Sequence, residues 1–251
     1  MKKTIYAMIP ARFSSVRLKL KNMALINSKP MISYSILAAK ESGIFDKVFV
    51  NSDHEIFRKI SDRYKVDFYL RPKDIGSSTA KSDSVVYDFI KKHPNIDIVV
   101  WVNPIAPLQT KSDIKSTVNY FLENNLDSLI TVEEHQVHAM YKNKPINYSK
   151  TELFAQTQDI DPISTFSYSI MMWNAATFLR EFEDKGFALF CGNFGVKSVG
   201  KLSSIVVKTE RDLMIVDAII KGIEQQKQKE LKYDPLVDDF LLQKINLNQT
   251  F

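Results

Sequence analysis

The chain has one cysteine, Cys191, in 251 residues. That excludes an internal disulfide framework and suits a reducing compartment. Glycine is scarce as well, with seven in the whole sequence. Neither Gly-x-x-x-x-Gly-Lys-Ser/Thr nor Gly-x-Gly-x-x-Gly occurs, which excludes a Walker-type phosphate loop and a dinucleotide fingerprint. No apolar window approaches the ~18 residues of a membrane span, so none is expected. The apolar stretch after Met1-Lys2-Lys3-Thr4 is too short for a secretory core, and the cytoplasm is the expected compartment. The most telling scarcity is of acid. From Met1 to Lys40 there is no Asp or Glu but eight Lys or Arg, while the net charge is +5 and the other 211 residues sum to about −3. Positive charge confined to one segment points to a local anionic ligand rather than a basic surface. No basic face continues elsewhere and no aromatic ladder interleaves these charges, so nucleic acid is not expected as a partner.

Four of the cations, Arg12, Arg17, Lys19 and Lys21, fall in one loop after a short apolar run. The loop contains no glycine, so binding of phosphate must rely on those side chains, helped by the Ser14 and Ser15 hydroxyls and backbone N–H groups. Such a loop can wrap a triphosphate and present its α-phosphorus for attack. The competing reading is a solvated basic loop.

Hydrophobic content of 45% and charged content of 25% are ordinary for a globular protein, and the length suits one large α/β domain. Strands are predicted at 5–9, 48–50, 66–70, 96–102 and 128–132, and helices at 31–42, 55–64, 83–92 and 112–124. Asp53 is placed as the N-cap of the second helix. The most apolar run, 96–102, reads as the centre of a parallel sheet. This alternation predicts a doubly wound, mostly parallel α/β sheet, whose ligand lies beyond the carboxyl ends of the strands. The rhythm breaks at 133–165, where Pro145 and Pro162 interrupt a mixed polar stretch. We read an inserted arm at 134–166, a subunit contact, because a structureless loop of that length is rare. A strand at 169–173, a helix at 174–182 capped by Asn174, a strand at 204–207 and a helix from Thr209 to about residue 226 follow. Asp212 completes a capping-box pattern with Thr209. The extension 229–251 is either a docked helix or loosely held. His135-x-x-His138 reads as two exposed histidines, Cys191 as a half-buried packing residue, and Met171-Met172-Trp173 as core.

Several blocks in order resemble a known family. They are Ile9-Pro10-Ala11-Arg12, Ser15, Lys21-Asn22, Lys29-Pro30-Met31-Ile32, Val50-Asn51-Ser52-Asp53, Leu70-Arg71-Pro72, Asn103-Pro104-Ile105-Ala106-Pro107-Leu108 and Gln158-Asp159-Ile160-Asp161-Pro162. Together they resemble the acid-sugar cytidylyltransferases, that is, the N-acylneuraminate cytidylyltransferases and the related CMP-Kdo synthetases. The resemblance runs from Thr4 to about Gly222. It implies a Rossmann-like nucleotidyltransferase domain, 1–251, with a dimerisation arm. The implied reaction transfers CMP from CTP to an acidic sugar and releases pyrophosphate. Arg12 and Lys21 are then the expected catalytic cations, and Ser14, Ser15, Asn22, Arg71 and Ser82 would hold the nucleotide. Asn103, Gln109 and Gln158 would meet the acceptor. Arg71 has a competing reading as a surface ion pair, and Ser82 as a helix cap. CTP with its Mg2+, a small anionic acceptor and a second copy of the chain are the implied partners.

The departures are informative. Gly-Gly after the first arginine is Phe13-Ser14 here, and the glutamine of the Gln-Pro block is Asn103. The arginine closing that block is Gln109, and the Asn-Gly before the strand returning from the arm is Ser167-Tyr168. Arginines expected near the sugar have no equivalent at Thr157 and Thr165, which suggests an acceptor unlike ordinary sialic acid. The family's Asp-x-Asp falls on Val206 and Lys208, so no metal ligand is assigned in the chain. Lys208 is read as a substitute cation, hence a third catalytic residue. The alternatives are a phosphonate or sugar-phosphate acceptor, and a non-catalytic nucleotide-binding relative.

Overall fold

Residues 2–15, 18–76, 80–225 and 234 are described by the computed structural model. Arg17 and the extension 229–251, Asp234 apart, lie outside them. Eleven strands and six α-helices follow one another along these residues as β1 (Ile5–Ala11), β2 (Leu25–Ile26), β3 (Lys29–Pro30), α1 (Met31–Ser42), β4 (Lys47–Ser52), α2 (Ile56–Tyr64), β5 (Asp67–Leu70), α3 (Ser82–Lys92), β6 (Ile98–Val102), α4 (Lys111–Glu123), β7 (Ser128–His135), β8 (Met140–Tyr141), β9 (Lys144–Pro145), β10 (Ile163–Asn174), α5 (Ala175–Lys185), β11 (Phe194–Ser198) and α6 (Glu210–Gln225).

Seven strands form one sheet in the order β11-β7-β10-β6-β1-β4-β5. β10 alone runs against its neighbours, pairing antiparallel with β6 and β7. β6 stands at the centre, as its unbroken apolar run requires of a strand covered on both faces. Side-chain alternation sorts the core. Ile5, Ala7, Ile9 and Ala11 of β1 pack with Ile98, Val100 and Val102 of β6 under α1, α2 and α4. Met8, Val99 and Trp173 pack on the other face under α3 and α5. The first halves of the β-α units therefore deliver the ends of β1, β4, β5 and β6 to one edge, where the loops converge.

Caps explain several helix boundaries. Thr110 and Asp113 form a reciprocal capping box on α4. The Asn174 Oδ1 accepts from the Thr177 amide at 3.1 Å on α5. The Asp212 carboxylate accepts from the Thr209 amide at 2.8 Å while its own amide donates to the Thr209 hydroxyl at 3.3 Å on α6. Asp53 does not cap α2. The residue before that helix is Glu55, and no side-chain cap is made there.

Two other expectations change. Residues 204–207 are not a strand. They leave a turn and run past the loop after β6, with the Val207 amide donating to the Ile105 carbonyl at 2.7 Å. The remaining strand is β11 instead, weakly apolar and half exposed, and so without a clear period-2 signal. Within 134–166, β7 and β10 continue as paired strands, with His135 opposite Ile163, so the base of the arm is an extension of the main sheet. Its outer part carries the β8–β9 hairpin. Cys191 is fully rather than half buried, and burial pushes its thiol up to about 12.

Gly192 has φ +55°, and a Cβ there would strike the Asp127 carboxylate. That carboxylate accepts from the Thr177 hydroxyl at 2.8 Å and the Asn193 amide at 3.0 Å, so it cannot yield cheaply. Gly192→Ala is expected to cost about 2 kcal/mol in urea unfolding; a loss under ~0.5 kcal/mol would contradict this packing.

Candidate active site

A cavity of about 240 Å3 opens at the carboxyl edge of β1, β5 and β6. The loop leaving β1 forms its floor. Without glycine that loop has no inherent tendency to curl its amides toward an anion, and it is held from outside. The Phe13 amide donates to Asp53 Oδ1 at 2.9 Å, and the Phe13 ring stacks on His54 with centroids 4.0 Å apart. Asp53 follows the end of β4, so the clamp comes from the neighbouring strand.

Arg71 follows β5 and is only 3% exposed. Its amide donates to the Ser52 carbonyl at 2.8 Å, and its Nη2 donates to the Ala11 carbonyl at 3.4 Å and lies 4.0 Å from Asp53 Oδ1. Burial lowers its pKa, Asp53 opposes that shift, and the nearby Arg12 charge lowers it further. Two guanidiniums close enough to disfavour each other make the cavity electropositive before any ligand arrives. Arginine remains charged throughout.

Asn22 is 5% exposed, with its Nδ2 donating to the Arg12 carbonyl at 3.5 Å. Lys21 donates from Nζ to the Val207 carbonyl at 3.2 Å, tying the loop to the segment before α6. Among the described residues, three buried polar atoms of the cavity lining have no hydrogen-bond partner: Asn22 Oδ1, Arg71 Nε and Trp101 Nε1. Buried polar atoms are normally satisfied, so these are places for a polar ligand to bind. Ser82, the first residue of α3, also lines the cavity, and the N-cap residue of that helix, Lys81, makes no side-chain cap. The N-terminus of α3 adds partial positive charge there.

Thus Arg12, Ser15, Lys21, Asn22, Arg71, Ser82 and Asn103 meet around one cavity. Arg71 is not a surface ion pair. Four other expected residues lie outside the lining. Ser14 borders a neighbouring hollow with Phe13, Ser15 and Lys19. Gln109 is buried and its Nε2 donates to the Asn103 carbonyl at 2.8 Å and the Ser35 hydroxyl at 3.1 Å, which holds the turn carrying Asn103. Gln158 is exposed in a short 3-10 turn on the arm, bonded to Gln156. Lys208 is exposed, one residue beyond the carbonyl that receives Lys21.

Sequence reasoning misassigned Asp53. Its position at the carboxyl end of a parallel strand was the available signal, but a helix begins three residues later, at Ile56, and competed for it. Trp101 was read only as strand.

The segment expected to hold a metal does not fit one. Val206 has no ligand atom and Lys208 carries the wrong charge for a hard cation. The Asp212 carboxylate accepts from the Lys208 and Thr209 amides, each at 2.8 Å. Among the described residues no group of three His, Cys, Asp or Glu is placed to hold an ion, and no helix is long and apolar enough to cross a membrane.

A family model described as cytidylyltransferase matches residues 6–179. An N-acylneuraminate cytidylyltransferase of Streptococcus agalactiae serotype V is 29% identical over 181 residues, which are 69% of this chain and 44% of that protein. The chain thus spans less than half the length of that relative. A pseudaminic acid cytidylyltransferase of Campylobacter jejuni is 33% identical over 144 residues, 54% of this chain and 62% of that one. The solved structure of CMP:2-keto-3-deoxy-manno-octonic acid synthetase complexed with CTP superposes with a TM-score of 0.65 at 13% identity, covering 88% of this chain and 99% of that chain. At that identity the likeness concerns the fold.

Asp53→Ala removes both the acceptor for the Phe13 amide and the carboxylate facing Arg71. The expected outcome is a loss of about 1–3 kcal/mol in urea unfolding, with faster hydrogen exchange at the Phe13 amide. Unchanged exchange there would mean that the loop is held by something else.

Proposed function

Because the chain belongs to the cytidylyltransferase family, we propose that it transfers CMP from CTP to an acidic, sialic-acid-like or Kdo-like sugar and releases pyrophosphate. One observation carries this reading. Arg12, Lys21 and Arg71 converge on a single cavity whose lining also holds buried polar atoms that have no partner among the described residues. A sugar hydroxyl oxygen bonds to the α-phosphorus, the bond to the β-phosphate oxygen breaks, and the hydroxyl proton is released. Negative charge gathers on the α-phosphoryl oxygens and on the departing pyrophosphate. Fixed cations aimed at those oxygens stabilise that charge more than they stabilise the ground state.

In this reading Arg12 and Lys21 act on the phosphates, and Ser14, Ser15 and Asn22 support them. Arg71 and Ser82 face the nucleoside end. Asn103 lies toward the acceptor, with Gln109 holding its turn. Lys208 adds to the positive field beside Val207. Val206 and Lys208 would hold no Mg2+, so any such ion would have to arrive with CTP and would supply further positive charge at its phosphates. The arm exposes Tyr141, Ile146, Leu153 (97% exposed) and Phe154, apolar surface that suits a second copy. Gln158 lies on that arm and would reach an acceptor in the partner's site. A homodimer of the 28.9 kDa chain is the expected species in sedimentation.

Val206 and Lys208, where an acidic pair would stand, favour a second reading: nucleotide binding without turnover.

Pyrophosphate release from CTP separates the two when N-acetylneuraminate, pseudaminate and Kdo are offered in turn. Turnover with one of them is expected, and Arg12→Ala or Lys21→Ala should lower its kcat/KM by about 10²–10³. A change under about threefold would remove these cations from the reaction. CTP binding with no release for any acceptor would leave the second reading.

A further inference from the structure

Tyr168 stands in a conformation that does not suit it. Its φ is +55°, in the left-handed region that glycine enters without steric cost and an aromatic residue does not. The residue lies in an irregular stretch of β10, where the register to β7 shifts between Phe166 and Met171. Its neighbours fix that irregularity. The Ser167 hydroxyl donates to the Thr131 carbonyl at 3.1 Å, and the Ile170 amide donates to the Thr131 hydroxyl at 3.0 Å. The hydroxyls of Thr131 and Ser169 are 3.0 Å apart. This buried network holds the backbone turn whatever side chain residue 168 carries. Glycine would complete it at lower cost.

The ring is not retained for packing. Tyr168 is 44% exposed, its described ring neighbour is Phe166 at 5.6 Å, itself 40% exposed, and its hydroxyl makes no hydrogen bond among the described residues. Strained residues that the core does not need concentrate at functional sites. The position is suggestive too. The Tyr168 carbonyl accepts from Asn103 Nδ2 at 3.0 Å, and the Asn103 amide donates to the Ser169 carbonyl at 2.9 Å. Asn103 lines the cavity. Ile170 pairs with Val102 at the last residue of β6, so residue 168 lies on the same carboxyl rim as the cavity. It is on the β10 side of β6, whereas Arg12 and Arg71 follow β1 and β5 on the other side.

We propose that the Tyr168 ring is the acceptor-side specificity determinant, a stacking platform for the carbon–hydrogen face of the sugar. The inference rests on the cytidylyl-transfer reading above and assigns it an acceptor wall. An acceptor has to reach the α-phosphorus from the side that the nucleotide cations leave open, and that is the rim bearing Tyr168. An aromatic face there selects for a ring with an apolar flank and is indifferent to the nucleotide.

The test compares Tyr168→Gly, Tyr168→Ala and Tyr168→Phe in the full chain, using whichever of N-acetylneuraminate, pseudaminate and Kdo the wild type turns over. Gly and Ala should raise the acceptor KM about fivefold or more and leave the KM for CTP unchanged, and Phe should stay near wild type. Gly should also melt about 2–4 °C above Ala, because it alone relieves the left-handed strain. A raised acceptor KM in the better-melting variant cannot come from misfolding. Wild-type acceptor KM in Tyr168→Gly would overturn the proposal, as would a Phe variant that behaves like Gly. A wild type that turns over none of the three acceptors defeats the parent reading, a result distinct from an active wild type with an indifferent variant.

Discussion

The Asp53 carboxylate, accepting from the Phe13 amide and facing Arg71, is the constraint on which the site depends. Arg12, Lys19 and Lys21 in one loop repel one another, and with no glycine that loop does not curl its amides toward an anion by itself. Pinning its start, through the Phe13 amide, to the end of the next strand fixes Arg12 at the cavity. The same carboxylate compensates part of the cost of burying Arg71. Gly76 shows how close the fit is, because a Cβ there would meet the Asp53 Cβ at 2.5 Å. One acidic residue thus organises cations from two loops.

The positive charge left after that compensation is the functional quantity. The Arg12 charge adds to burial in disfavouring the Arg71 guanidinium, and a polyphosphate between them would relieve that repulsion. Lys21, anchored on the Val207 carbonyl, brings the segment before α6 to the same place. Val206 and Lys208 occupy that segment without an acidic pair, and among the described residues no group of three His, Cys, Asp or Glu is placed to hold a metal ion. The acceptor side is built differently. Asn103, the buried Thr131–Ser167–Ser169 hydroxyls and the Tyr168 backbone carry no net charge. In the proposed reading, charge for the nucleotide and shape for the acceptor lie on opposite sides of β6.

Much of this was legible in the residues. Charge segregation before Lys40 located the loop, and the apolar run of β6 located the sheet's centre, because both signals are local and strong. Asn174, Thr209 and Asp212 revealed helix starts for the same reason. The misreadings have physical causes. Asp53 has the chemistry of a cap and of a clamp, and only tertiary structure decides between them. β11 is half exposed on the sheet's edge and shows no alternation, whereas 204–207 is apolar because it packs beside Leu18 and Met31 in a small third core, not because it is a strand. Gln109 has an amide suited to a ligand, yet burial commits that amide to the turn it supports. The left-handed backbone of Tyr168 has no trace in its own residue type.

The central claim is that side-chain cations grip the phosphate chain of the nucleotide. Calorimetric titration of the intact protein with CTP, CDP, CMP and cytidine at one ionic strength tests it directly. The account predicts that affinity falls at each phosphate removed, by about tenfold or more from CTP to CMP, and that cytidine binds weakest. Equal affinity for CTP and cytidine would contradict it.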